Sequence, residues 1–300
     1  MNANSRTGQI ELSINSLDNV KTMNGIDYEF VRLNPDFEGN RGGNSMIFTL
    51  TSEEEEDKVI KICRSVIGSQ TDFHKTRLKR FEREINALKK SQTKNFIIKY
   101  FFDGILEVNR TSFRYYVMEK AVMDLKDFII IQKPDFQNRV MICRQILNAF
   151  TELQTLDIYH RDIKPDNFFY VDDIMKVGDL GLIDYRIDDE ILDRENELIG
   201  PRGWLSPEAT NKFMTFNKDI GFEFDCKMDF RSDIFQLGKL FWFIFQYNIP
   251  VGRVKRNDFK IKDDQIYSTI AWMLNHDKKR RPHLLDIVNS FSPIFLKYAA

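Results

Sequence analysis

The sequence predicts an α+β fold in two lobes: a small antiparallel-sheet lobe with one key helix, then a larger, mainly helical lobe. Three observations carry this. Over residues 28–62 apolar residues recur with strand-like spacing. Over residues 72–91, Leu78, Phe81, Ile85 and Leu88 recur at steps of three and four, giving one apolar stripe on a helix. After Ala121 the periodicity becomes helical in most segments.

Taken in order, residues 1–26 are polar and read as a loosely ordered tail, and residues 27–298 as the folded region. Its first lobe runs over about 27–118, a joint over 119–121 and the second lobe over about 122–298. Phe48 and Leu50 alternate with Thr49 and Thr51, which suits a half-buried strand. A second short strand follows at 58–62, with the acidic run 53–57 as a solvated hairpin turn between them. Glu84 falls three residues after Phe81 and four before Leu88, on or beside the buried stripe. An acid there requires a partner. Residues 96–102 and 115–118 read as further strands, and 125–131, 139–156, 234–245 and 266–274 as helices.

Composition bounds the function. The chain has 300 residues, 42% hydrophobic and 30% charged, as expected of a soluble globular protein. Net charge is −1, from 44 Lys and Arg against 45 Asp and Glu, so nothing draws the whole chain to nucleic acid or an acidic membrane. Cys63, Cys143 and Cys226 are odd in number and far apart, which fits free thiols in a reducing compartment. The polar start lacks the apolar core of a signal peptide, and the apolar stretch around 240–245 is too short to span a bilayer. A soluble, cytoplasmic protein without nucleic-acid or membrane partner is expected, export by a route without a cleavable signal remaining open.

The strongest local signal is His160-Arg161-Asp162-Ile163-Lys164-Pro165-Asp166-Asn167. This H-R-D-x-K-x-x-N run resembles the catalytic loop of eukaryotic-type Ser/Thr protein kinases, and the resemblance covers roughly residues 28–295. It implies a bilobal kinase fold, ATP and Mg2+ as cofactors, and a protein substrate bearing a Ser or Thr hydroxyl. Phosphoryl transfer needs a positioned hydroxyl, neutralised phosphate charge and in-line geometry more than a strong base. Asp162 can accept the hydroxyl proton, Lys164 can reach the transferring group, and Asn167 can give an oxygen to the metal.

Other positions extend the resemblance. Asp179-Leu180-Gly181, 17 residues after Asp162, resembles the metal-binding D-F-G motif, with Asp179 as ligand and Leu180 in an apolar slot. Val59-Ile60-Lys61 resembles the V-A-I-K strand, so Lys61 would pair with the α- and β-phosphates and be held by Glu84. Val59 and Phe169 would flank the adenine ring, and Met118 would precede a joint, Glu119-Lys120-Ala121, whose backbone bonds the adenine edge. The phosphate-covering pattern maps onto Asn40, Gly42, Ser45 and Ile47, retaining only the central glycine. Ser206-Pro207-Glu208 resembles A-P-E, Asp233 the aspartate that braces the catalytic loop, and Arg281 the partner of Glu208. These three features favour a protein kinase over a small-molecule kinase, and Lys164 favours Ser/Thr over Tyr.

Two departures stand out. The 25 residues from Glu208 to Asp233 are longer than the pattern, which places an insertion over 211–228. Pro201 follows Gly200 where a threonine is usual. With the altered glycine loop, this leaves a pseudokinase as the second reading and a small-molecule phosphotransferase as the third. The loop after Asp179 has no Ser or Thr from Ile183 to Leu205, yet carries seven acids: Asp184, Asp188, Asp189, Glu190, Asp193, Glu195 and Glu197. Two readings stand: one or more loop carboxylates pair with Arg161 and the basic residues of the early helix, or both charge runs are solvated faces. Such pairing would order the loop without phosphate, more weakly and with more salt sensitivity than a phosphate would.

Overall fold

The computed structural model describes residues 1–33, 44–186, 192–193, 197–215 and 224–298. The chain divides into two units, residues 1–93 with 98–120, and residues 94–97 with 121–300. The first unit contains β1 (Asn2–Asn4), β2 (Gln9–Glu11), β3 (Val20–Met23), β4 (Ile26–Arg32), β5 (Ser45–Thr51), β6 (Lys58–Val66), α1 (Asp72–Lys90), β7 (Tyr100–Val108) and β8 (Thr111–Glu119). Six strands form one sheet in the order β3-β4-β5-β6-β8-β7, every neighbouring pair antiparallel.

Side-chain alternation sorts this sheet into two faces. Phe30, Phe48, Leu50, Ile60, Ile62, Tyr115 and Val117 join one buried cluster. The cross-strand partners Ile47–Lys61–Tyr116 and Thr49–Val59–Met118 belong to the other face. Thr49, expected on the wet side of a half-buried strand, is itself buried, so β5 is covered on both sides.

The opening residues correct the expectation of a loose tail over 1–26. β1 and β2 pair as a hairpin, and β3 is an edge strand of the main sheet. Ile10 and Met23 are buried in the sheet's core. Gly8 adopts φ +66°, and a Cβ there would stand 1.7 Å from the Arg64 carbonyl oxygen, so only glycine permits this close approach.

Helix α1 begins at Thr71, whose hydroxyl accepts the His74 N–H. It buries Phe81, Ile85 and Leu88, while Leu78 is half-buried. Arg114 of β8 fastens the helix, reaching Glu82 at 2.9 Å and Asp103 of β7 at 3.0 Å. The strand expected over 96–102 instead starts at Tyr100. Residues 94–97 belong to the second unit: Glu152 accepts the N–H groups of Asn95 and Phe96 at 3.0 and 2.8 Å, and Val177 donates to the Phe96 carbonyl at 2.8 Å.

The second unit starts with β9 (Met123–Asp124) and α2 (Leu125–Asp127), which runs on as a π-helical turn, Phe128–Gln132. Then come α3 (Phe136–Thr155), β10 (Ile158–Tyr159), β11 (Phe168–Val171), β12 (Ile174–Val177), β13 (Asp184–Tyr185), α4 (Pro207–Thr215), α5 (Phe230–Gln246), α6 (Asp264–Met273) and α7 (Leu284–Tyr298). β12, β11 and β9 form a three-stranded sheet, and β10 pairs with β13. α5 is apolar on nearly all sides and is the central helix, with Leu237, Leu240, Phe241 and Ile244 fully buried. Of the expected insertion, residues 211–215 continue α4, and 216–223 lie outside the described residues. Among the described residues, no helix is long and apolar enough to cross a membrane.

Candidate active site

In the first unit, register places Ile47, Val59, Lys61 and Met118 on the sheet face opposite the apolar cluster. Lys61 is buried, and its ammonium donates to Glu84 Oε1 at 2.8 Å. Glu84 is 1% exposed, so its carboxylate depends on such donors. The Tyr116 hydroxyl gives the same oxygen a second bond at 2.9 Å. The sequence reading missed Tyr116. The signal was its register opposite Lys61, visible only once the strands are paired. Ser45 begins β5 and is buried, whereas Asn40 and Gly42 lie outside the described residues. The Glu119 N–H donates to the Lys99 carbonyl at 3.0 Å, so any backbone bond from Glu119 to a purine must use its carbonyl.

This geometry yields a prediction. If the chain transfers phosphate, Lys61→Met and Glu84→Ala are each expected to lose that activity, Lys61 by direct contact with the nucleotide and Glu84 by holding Lys61. The double variant is expected to be little worse than Lys61→Met alone. Tyr116→Phe should show a smaller loss, since Lys61 still pairs with Glu84. Steady-state kinetics on folded proteins decide it, and a double variant whose loss equals the product of the two single losses would mean the residues act independently.

In the second unit, the loop over residues 160–167 hangs from α5. Asp233 is buried, and its two oxygens accept the N–H groups of His160 at 2.7 Å and Arg161 at 2.9 Å. Burial pushes the Asp233 carboxyl up, while His160 and these N–H donors act in the opposite direction. Gln236, one turn further along, accepts the Ile163 N–H at 3.2 Å. Gln236 was also missed, although its i+3 spacing from Asp233 puts both on one helix face. These bonds hold Arg161 at φ +63°, a left-handed conformation uncommon for a non-glycine residue. The His160 ring, protonated on Nε2, donates to the Gly178 carbonyl at 3.2 Å and accepts the Asp162 N–H on Nδ1 at 3.3 Å.

Asp162, Lys164 and Asn167 converge. Asp162 Oδ2 accepts from Asn167 Nδ2 at 2.8 Å and from Lys164 Nζ at 3.0 Å. Asn167 Nδ2 also donates to the Asp162 carbonyl at 2.7 Å, which turns its Oδ1 away from the aspartate. Burial disfavours the Lys164 ammonium, but Asp162, Asp179 and Asp166 outweigh this and raise its pKa. Asp179 is therefore electrostatically coupled to the loop. It sits at φ +50°, after Gly178, whose N–H donates to the Asn167 carbonyl at 2.9 Å. Leu180 is fully buried. Phe169 is half-buried on β11, and Ala121 is half-buried before β9.

The donor set suits a divalent cation. The Oδ1 of Asn167 and the carboxylate of Asp179 are hard oxygens, and a magnesium ion takes one or two such protein ligands, completing its shell with phosphate and water. Among the described residues there is no cluster of three or more His, Cys, Asp or Glu that could hold a metal alone.

Two further contacts surround the loop. Gly200 has φ +105°, and a Cβ there would lie 3.0 Å from the Arg161 carbonyl oxygen, so the chain before Pro201 packs backbone-to-backbone on the 160–167 loop. Glu208 and Arg281 form a bidentate buried pair at 2.7 and 2.9 Å. Burial raises the thiol pKa of Cys63 to about 11 and that of Cys143 well above its usual value, so neither serves as a thiolate nucleophile.

With the fold and these side chains in place, the family follows. The family model described as "Protein kinase domain" matches residues 41–292, and the chain belongs to that family. It is 24% identical to the dual specificity protein kinase TTK of Mus musculus over 71% of this chain and 24% of that protein. It is 26% identical to the serine/threonine-protein kinase mph1 of Schizosaccharomyces pombe over 72% of this chain and 31% of that protein. It is 25% identical to the serine/threonine-protein kinase PrkC of Bacillus subtilis over 70% of this chain and 30% of that protein. The chain thus spans only about a quarter to a third of the length of these relatives.

Proposed function

We propose that this chain is an active Ser/Thr protein kinase that transfers the γ-phosphoryl group of ATP to protein hydroxyls. The observation that carries the reading is the Asp162 carboxylate, held on Oδ2 by Asn167 and Lys164. That arrangement leaves Oδ1 as the atom able to take the hydroxyl proton. The substrate oxygen then bonds to the γ-phosphorus, the bond from that phosphorus to the ADP oxygen breaks, and the proton passes to Asp162. Lys164 offsets charge on the moving group and holds Asp162 in line. Lys61, fixed by Glu84, takes the α- and β-phosphates. Asn167 and Asp179 are the residues that would hold Mg2+, which when bound neutralises phosphate charge. Asn40, Gly42, Ser45 and Ile47 are proposed to cover the phosphates. Val59, Met118, Phe169 and the backbone of Glu119 and Ala121 are proposed to receive the adenine.

Ser/Thr specificity rests on Lys164 and on the names of two of the relatives, mph1 and PrkC. The test is phosphate transfer from labelled ATP to a generic protein, followed by identification of the phosphorylated amino acids. Asp162→Asn is expected to lower the rate by about 10²- to 10⁴-fold. Equal labelling by both proteins would remove catalysis from the proposal, and phosphotyrosine as the main product would overturn the Ser/Thr assignment.

A further inference from the structure

Arg161 is a buried cation that uses its whole guanidinium. Its Nε donates to the Leu182 carbonyl at 2.7 Å. Nη1 lies 2.6 Å from Asp193 Oδ2 and 3.2 Å from Asp184 Oδ2, and Nη2 lies 3.1 Å from Asp193 Oδ1. The Arg161 and Asp193 side chains are 4% and 12% exposed. This is a two-pronged guanidinium–carboxylate pair shielded from water, the geometry that also recognises phosphate. Lys212 of α4 adds a second cation 3.6 Å from Asp193 Oδ2, and the neighbouring Leu192 is buried. Asp193 therefore links Arg161 to α4, and Arg161 in turn holds the stretch 182–184 after Asp179.

A buried guanidinium without an anion is strongly unfavourable, so Arg161 demands one. Between Ile183 and Leu205 the chain offers no Ser or Thr to carry an added phosphate, and the Tyr185 hydroxyl is buried. We propose that Asp193 is a positioning residue that supplies this anion permanently, so the catalytic loop is set for phosphotransfer without phosphorylation of the following loop. The proposal rests on the kinase reading above and names the control of that same site. It also refines two expectations. The carboxylates on Arg161 are Asp193 and Asp184, whereas Asp188, Asp189, Glu190 and Glu195 lie outside the described residues. And because the pair is buried, salt should affect it little.

The experiment uses the full chain made in bacteria and treated with phosphatase. The treated protein is expected to keep its activity and to carry no phosphate over residues 182–205 by mass spectrometry. Asp193→Asn should lower kcat by about 10²-fold, with KM for ATP within about threefold of the parent, because Lys61 and Glu84 are untouched. Asp193→Glu should recover much of the loss. Amide hydrogen exchange over 182–186 should accelerate in Asp193→Asn, a readout that needs no catalysis. Loss of activity on phosphatase treatment overturns the proposal, as does Asp193→Asn with parental kcat and exchange. If the parent itself transfers no more phosphate than Asp162→Asn, the kinase reading fails, and the exchange result still decides what Asp193 does.

Discussion

Asp179→Asn is expected to reduce turnover by about 10³-fold while the protein stays folded. A ligand to a catalytic metal contributes several kcal/mol of charge stabilisation, and about 4 kcal/mol corresponds to a thousandfold in rate. Asn keeps the size of Asp but halves its oxygen donors and removes its charge. Asp179 is half-buried, so the exchange removes no buried packing. The effect should therefore appear as a higher concentration of Mg2+ needed for half-maximal rate as well as a lower maximum. Asn167→Ala should fail differently, because Asn167 does two things. Its Oδ1 is the proposed ligand, and its Nδ2 bonds both the carbonyl and the carboxylate of Asp162. Losing both leaves the Asp162 carboxylate with the Lys164 bond but not the Asn167 one, so raising Mg2+ should rescue Asn167→Ala less than Asp179→Asn. Stabilisation of each purified variant by ATP with Mg2+, read as a melting shift, gives a check apart from turnover. Parental kinetics and parental metal dependence in folded Asp179→Asn would remove Asp179 from the mechanism.

The contrast between these two residues also shows what a sequence can disclose. The run from His160 to Asn167 was legible because chemistry fixes residue types at short spacing. Glu84 was legible for another reason: an acid on an apolar stripe needs a cation, and Lys61 was available. Tyr116 and Gln236 were not legible in these roles, and Asp193 was legible only as one of seven loop acids that could pair with Arg161. Their partners lie 32, 73 and 32 residues away, and only strand register and helix packing bring them together. The opening residues failed for want of periodicity: their strands are three or four residues long, with single buried side chains such as Ile10. One signal there went unread. Asn24-Gly25, both at positive φ, is the turn joining β3 to β4, and Asn-Gly between apolar runs is a strong hairpin mark. Helix α7 hid behind Pro293, which ordinarily argues against a helix, although Leu284, Ile287, Phe291, Ile294 and Phe295 keep helical spacing and are all buried.

Arg281→Met is expected to destabilise the second unit by about 3–5 kcal/mol, the usual result of breaking a buried ion pair from one side. At roughly 2–4 °C per kcal/mol for a domain of this size, the melting temperature should fall on the order of 10 °C. The Arg281 side chain is 0% exposed and Glu208 2%, so neither charge can turn to water when its partner goes. Arg281 also donates to the carbonyls of Asn275 at 2.7 Å and Arg231 at 2.8 Å, joining the start of α5 and the residues after α6 to α4. Removing it takes a donor from those carbonyls as well as from the Glu208 carboxylate, and each buried acceptor bond left unmade adds its own penalty. Glu208→Gln should therefore be milder than Arg281→Met: it leaves Arg281 its carbonyl partners and an amide oxygen. Acidity supplies an independent check. Burial opposes charge on Glu208, but Arg281 prevails and holds its carboxyl below the ordinary value of 4.5. A carboxyl depressed in the folded state adds stability that is present above its unfolded pKa and is lost as pH falls through the folded one. The stability gap between parent and Arg281→Met should thus be widest near neutrality and should close as pH drops below about 4.5. Thermal melts of both proteins across that range measure it. A gap that stays constant with pH would mean the loss comes from the lost carbonyl bonds and packing rather than from the charge of Glu208.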